Sequence, residues 1–192
     1  VIVTDSIGCT DSIQTTITEP FMFELVDTTF SNYNGFNISC NGYNDGSIDI
    51  TLIGGTPAYS FVWSTLDGSG LNITDEDQSG LSAGTYTVVA TDSGGCHITQ
   101  SYTLTGPTAL TESLTANIYP SGDNISCNGL SDGSVDLTNT NGSPVYSYLW
   151  STLDGSGLVP TDEDQTGLTA GTYDVTTTDI NGCTIKIGRA HV

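Results

Sequence analysis

Apolar and polar residues alternate along this chain in short runs, and turn residues punctuate the runs. Ser47–Ile53 places Ile48, Ile50 and Leu52 on one face, the period-two pattern of a half-buried strand. Tyr59–Ser64 alternates as well and carries Trp63. Phe21–Asp27 predicts a first strand, Leu81–Asp92 an approach followed by a strand, and Cys96–Leu104 a last strand. Between them lie a loop at Asn37–Asn44, turns at Gly54–Pro57 and Ser93–Gly95, and a long polar segment at Leu66–Ser79. Six or seven short strands in this order are what an immunoglobulin-like sandwich requires. No window has the apolar spacing of a surface helix, and no run reaches transmembrane length.

The pattern then recurs. Tyr59–Cys96 returns as Tyr146–Cys183, with Cys40 and Cys127, Trp63 and Trp150, and Cys96 and Cys183 each 87 positions apart. From Asn37 to Cys96, 40 of 60 positions are identical in the second copy. The sequence shows no insertion or deletion between Pro20/Pro107 and Cys96/Cys183. This period is too long for a solenoid unit and long enough for a small domain with its own core. The fold class expected is therefore all-β, as tandem immunoglobulin-like β-sandwich domains. Residues 1–19 match the end of such a unit and are expected to be a remnant. Residues 20–106 form a complete repeat, and 107–186 a second repeat that lacks its final strand. Trp63 and Trp150, on the third main strand, are expected in the cores. Leu81–Tyr86 and Leu168–Tyr173 have the form of tyrosine corners, so Tyr86 and Tyr173 join the predicted core.

Charge narrows the function classes. There are 22 acidic residues against two basic ones, a net charge of −20. Nucleic acid and anionic membrane both need Lys or Arg, so neither is expected as a partner. The two basic residues, Lys186 and Arg189, fall in the last seven positions, and the final six read Ile187–Val192, IGRAHV. That string resembles the translation of a sequencing adapter, so residues 187–192 are expected to be a non-native tail.

The strings Ile38-Ser-Cys-Asn-Gly42, Asp45-Gly-Ser-Ile-Asp-Ile-Thr51, Gly80-Leu-Ser-Ala-Gly-Thr-Tyr-Thr-Val88 and Thr91-Asp-Ser-Gly-Gly-Cys96, repeated in the second copy, resemble the SprB-type repeat. Such repeats occur in gliding-motility adhesins and other very large surface proteins of the Bacteroidetes. The resemblance spans both copies and the N-terminal remnant. It implies an extracellular or cell-surface adhesin, exported by that phylum's type IX pathway. The segment Leu66–Ser79 departs from the pattern, since many such repeats have a short turn there.

For a surface protein, Cys9, Cys40, Cys96, Cys127 and Cys183 read as disulfide cysteines, because no Cys-x-x-Cys spacing exists. The pairing expected is Cys40–Cys96 and Cys127–Cys183, leaving Cys9 single. Each bridge would stabilise by about 4 kcal/mol in the chain-entropy model. That pairing needs Cys40 beside the last strand, whereas plain immunoglobulin order puts the two cysteines at opposite ends. Cys9–Cys40 with Cys96–Cys127, bridging junctions, and free buried thiols stay open.

The acidic residues gather as Asp45 with Asp49, and as Asp67 with Asp75, Glu76 and Asp77. The second copy has Asp132 with Asp136, and Asp154 with Asp162, Glu163 and Asp164. Calcium takes several carboxylate and carbonyl oxygens, and Gly-rich acidic loops supply both. No EF-hand or RTX spacing is present, so a solvated loop is the favoured reading and calcium the alternative. Catalysis is not expected. His97 is the only His outside the tail and Thr184 replaces it in the second copy, so no Ser/His/Asp set recurs. Four N-glycosylation patterns occur, at Asn37, Asn72, Asn124 and Asn141; the resemblance implies a bacterial chain, in which they are expected to be chance matches. The function expected is a structural stalk segment of an adhesin, with neighbouring repeats as partners. The alternative is a repeat-borne module that binds a surface glycan or protein.

Overall fold

An exposed hairpin, β1 (Ile2–Thr4) and β2 (Thr10–Ser12), begins the chain. Six strands follow: β3 (Glu24–Phe30), β4 (Gly46–Ile53), β5 (Ser60–Thr65), β6 (Gln78–Leu81), β7 (Gly84–Thr91) and β8 (His97–Leu104). The same six recur as β9 (Thr111–Ala116), β10 (Gly133–Thr140), β11 (Tyr146–Thr152), β12 (Gln165–Leu168), β13 (Thr172–Asp179) and β14 (Thr184–His191). This computed structural model describes residues 1–192, apart from the side chains of residues 188–191. The expected tail, residues 187–192, falls largely on those side chains, which lie outside the described residues.

In each repeat the first, second and fourth strands form one antiparallel sheet, and the third, fifth and sixth form the other. That division is the A-B-E and C-F-G arrangement of an immunoglobulin-like sandwich. Alternation explains it: β4 turns Ile48 and Ile50 inward and leaves Asp49 and Thr51 outside. The first core joins these to Ile38, Trp63, Leu81, Tyr86, Val88, Tyr102 and Leu104. The second holds Val135, Leu137, Trp150, Leu168, Tyr173 and Val175.

The long segment after β5 is tied down, unlike a free polar loop. Buried Gln78 donates to the carbonyls of Asn72 (2.8 Å) and Asp75 (3.1 Å) and accepts from the Asn72 N–H (2.9 Å). The Trp63 indole donates to the Asp75 carbonyl at 2.8 Å. Gln165 and Trp150 make the same bonds to Val159 and Asp162. The front of the segment lies on the tyrosine corner. The Tyr86 hydroxyl lies 2.8 Å from the Ser82 carbonyl and 2.9 Å from that of Ser69. A Cβ on Gly68 would overlap the Tyr86 ring, and Gly155 stands against Tyr173 in the same way. These contacts explain why Asp67-Gly-Ser-Gly70 recurs unchanged.

Three features depart from the sequence reading. The second repeat, expected to lack its final strand, has one: β14 pairs with β13 from Thr178/Thr184 to Thr172/His191. The first strand is Glu24–Phe30 and not Phe21–Asp27, because pairing begins at Glu24 opposite Ile53, the last residue before the Gly54-Gly55 turn. The unbroken register also hides a compensated shift. A bulge between Leu25 and Asp27 adds one residue to β3, whereas β9 pairs without interruption. The loop at Tyr119–Asn124 restores the register with one residue more than Tyr33–Asn37. Accordingly Tyr33 and Tyr119, which cap the Asp45 and Asp132 carbonyls at 3.2 and 3.0 Å, stand 86 positions apart.

The two cores differ in one layer. Leu25, Leu52 and Ala90 of the first repeat correspond to Glu112, Asn139 and Thr177 of the second. Both Glu112 carboxylate oxygens, Asn139 Oδ1 and Thr177 Oγ1 are buried without a hydrogen-bond partner among the described residues. Unpaired buried polar atoms cost stability, and burial pushes the Glu112 carboxyl above its usual range. The folded state therefore holds a proton at Glu112 more tightly than the unfolded chain does. Stability of the second repeat should rise as pH falls from neutral through the raised value, and the gain should be complete near pH ~4.3, the unfolded value. Urea unfolding across that window measures it, and Glu112→Gln should flatten the slope.

Candidate functional site at the repeat junction

The motif Thr-Asp-x-x-Gly-Cys builds the tip of the last hairpin. In the second repeat Asp179 ends β13 and is buried. Its carboxylate accepts from the N–H groups of Ser143 (2.8 Å), Asn181 (3.0 Å) and Cys183 (2.9 Å). The Asp179 N–H donates back to the Cys183 carbonyl at 2.9 Å. Asp92 does the same for Thr56 (2.7 Å) and Cys96 (2.8 Å), and Asp5 for Ile7 and Cys9. The Thr56 N–H, then those of Cys96, Gly94 and Gly95, hold the Asp92 carboxyl below its usual range. The aspartate thus fixes where the cysteine sits, three times in this chain.

The motif Asn-Ile-Ser-Cys-Asn builds the opposite end of the sandwich. Asn37 accepts from the Thr105 N–H at 2.9 Å, and its own N–H donates to the Thr105 carbonyl at 2.8 Å. Ile38 enters the core at 1% exposure. The Ser39 N–H donates to Asp45 at 3.1 Å, and the Ser39 hydroxyl bonds the other oxygen of the same carboxylate. Asn41 donates to the Pro107 carbonyl at 3.1 Å. This loop is therefore sewn to the linker Thr105–Pro107, and Cys40 stands where the second repeat begins.

The tip of the second repeat meets that loop. Cys40 and Cys183 form a disulfide, with Cα atoms 5.6 Å apart and 143 residues between them in sequence. The Asn181 amide lies within hydrogen-bond distance of the Tyr33 and Ser39 carbonyls (both 3.2 Å) and of the Ser143 hydroxyl (2.9 Å). Asn34 donates to the Asn181 carbonyl oxygen at 2.5 Å. The Cys183 sulfur also packs 3.2 Å from the Ser39 carbonyl. Ser39 and Cys40 are buried by this contact, at 7% and 4% exposure.

The expected within-repeat pairings, Cys40–Cys96 and Cys127–Cys183, do not form; Cys9, Cys96 and Cys127 are free and exposed. The reason is strand length. β7 and β8 pair from Gly84/Leu104 at one end to Thr91/His97 at the other. Cys40 lies at the Leu104 end and Cys96 beside His97, so seven strand residues, roughly 23 Å, separate the ends. A disulfide tolerates at most about 7 Å between Cα atoms.

The acidic residues do not converge on an ion. Asp45 and Asp132 cap Ser39 and Ser126. Asp67 and Asp154 accept from the Thr85 and Thr172 N–H groups. Asp77 and Asp164 accept from Ile50 and Leu137. Asp75 takes the Asn72 amide, and Glu163 the Asn139 amide at 3.4 Å. Asp136 lies 3.4 Å from the Thr138 hydroxyl, and the Asp162 backbone serves Trp150 and Gln165. Burial, then the like charges of Asp77 and Asp49, push the Glu76 carboxyl above its usual range. Among the described residues no group of three or more His, Cys, Asp or Glu is placed to hold a metal ion. Sequence reasoning missed the tip aspartates and Asn181; the triple recurrence of Thr-Asp-x-x-Gly-Cys was the available signal for the former.

Since most of these carboxylates are engaged with backbone and amide groups, millimolar calcium should not raise the melting temperature beyond what sodium of equal ionic strength does. A concentration-dependent rise on calcium alone would show that these loops bind the ion.

The SprB repeat family matches the chain at residues 36–68 and 122–155. No curated protein matches it. Among solved structures, the C-terminal 282-residue fragment of intimin, in complex with the intimin-binding domain of the translocated intimin receptor, is similar at 16% identity with a TM-score of 0.46. That likeness covers 86% of this chain and 64% of the fragment. The two matched stretches each run from the front loop with its cysteine to the start of the long segment, one in each sandwich.

Proposed function

We propose that the chain is a spacer segment of a surface adhesin, a stalk that holds a distal binding region away from the cell. The observation that carries this reading is the junction. The linker Thr105–Pro107, the Asn181 contacts and the Cys40–Cys183 bridge join the two sandwiches end to end at one place. Such a joint resists bending as a peptide linker alone does not. A spacer uses repetition directly, because each added repeat extends reach. Seven residues of hairpin carry it roughly 23 Å from one end to the other.

The role proposed is non-enzymatic, at the cell surface or outside the cell. The net charge of −20 suits it, since like-charged neighbours repel and stay extended. No helix among the described residues is long and apolar enough to cross a membrane. The domain limits proposed with it are residues 20–106 and 107–186 as the two repeats, 1–19 as the end of a further one, and 187–192 as a non-native tail, although its backbone through His191 pairs in β14.

Small-angle scattering of the oxidised protein should give one elongated particle. Reduction should broaden its distance distribution toward shorter lengths while both sandwiches stay folded by circular dichroism. Identical oxidised and reduced profiles would contradict a stiffened spacer. Saturable binding of the isolated chain to a glycan or protein surface would favour a repeat-borne binding module.

A further inference from the structure

The junction between the two repeats uses one half of each. The first contributes its front loop with Cys40, and the second its hairpin tip with Cys183. The two halves left over are the tip of the first repeat, with Cys96, and the front loop of the second, with Cys127. We propose that these are the open halves of the same junction, and that each takes another repeat of this kind through a disulfide, so that an array is cross-linked from every repeat to the next.

Both open halves are already in the bonded shape. At the Cys96 tip, Asp92 holds the Cys96 N–H at 2.8 Å, against 2.9 Å for Asp179 and Cys183. At the Cys127 loop, the Ser126 N–H meets Asp132 at 3.1 Å, the distance from Ser39 to Asp45. The Ser126 hydroxyl bonds the other oxygen of that carboxylate, as Ser39 does. Hydrogen bonds to Ser126, first through its side chain, hold the Asp132 carboxyl below its usual range. What differs is cover. Ser39 and Cys40 are buried under the neighbouring repeat, whereas Ser126 and Cys127 are exposed. An open cleft of about 730 Å³ borders Cys127, lined among others by Ile125, Leu130 and Ala170.

The occupant is thus a hairpin tip of the form Thr-Asp-x-x-Gly-Cys. Within this tip the residue two before the cysteine varies, as Ile7, Gly94 and Asn181, while the aspartate and cysteine do not. The bond is therefore the shared feature of the junctions, and the amide contacts of Asn181 are particular to one of them. The chemistry is thiol–disulfide exchange with a disulfide oxidant. One thiolate attacks the oxidant and expels a thiol. The second thiolate attacks the mixed disulfide and expels the other. Cys96 and Cys127 lose two protons and two electrons together, and the oxidant becomes two thiols. The inference stands on the junction geometry and is separate from the stalk role, which scattering tests.

Two variants of the full chain test it, both with Cys9→Ser. One adds Cys96→Ser and keeps Cys127; the other adds Cys127→Ser and keeps Cys96. One is labelled with heavy nitrogen, and the two are mixed in equal amounts in a glutathione redox buffer. Intact Cys40–Cys183 in each, read by peptide mass, confirms the fold. The expected result is a mixed dimer, linked Cys127 to Cys96, several-fold more abundant than the two like dimers combined. Random coupling would make the mixed dimer only equal to that combined total. Parity between them, or no mixed dimer, would overturn the proposal.

Discussion

The length of a strand governs this molecule. A sandwich whose last hairpin runs through eight-residue strands places its front loop at one pole and its hairpin tip at the other. Both poles carry a cysteine, and neither can reach its own partner across roughly 23 Å. A bridge becomes possible only when the tip of one repeat stands on the loop of another. The Cys40–Cys183 disulfide is therefore a property of the array and not of a domain. Each core must be stable without a cross-link of its own, and the bond instead constrains how two domains sit.

That division of labour explains the recurring strings. Trp63, Tyr86 and Gln78, with their counterparts, secure the long segment after the third strand to the core. Most of the acidic residues that suggest ion ligands spend their charge on backbone or amide N–H groups, at Asp45, Asp67, Asp75 and Asp77 as at Asp132, Asp154 and Asp164. Asp92 and Asp179 aim a cysteine outward. The strings constant between copies are those that build the two poles and the tyrosine corner. The core layer of Leu25, Leu52 and Ala90, just inside the hairpin tip, has drifted to Glu112, Asn139 and Thr177.

The sandwich was legible because its signals are local. Alternation at Ile48 and Ile50 places the inner face, and the Leu-x-Ala-Gly-Thr-Tyr string places the corner. The 87-residue register reveals the repeat without any structure. What was not legible depends on position in space. The bulge in β3 and the longer loop at Tyr119–Asn124 cancel in the count of residues, so the register looks unbroken. The within-repeat cysteine pairing fails on the objection that immunoglobulin order itself raises, that Cys40 and Cys96 stand at opposite ends. The opposite-pole geometry that excludes it follows from strand pairing, and the same geometry supplies the partner in the next repeat.

The most direct test of this account is the disulfide map of the native, oxidised protein. Digestion without reductant, with thiols blocked beforehand, should yield one linked peptide pair joining Cys40 to Cys183. In the monomeric fraction, where no further repeat is joined, Cys9, Cys96 and Cys127 should carry the blocking group. A peptide pair joining Cys40 to Cys96 would contradict the account, because it would return the bridge to the single repeat and leave the junction uncoupled.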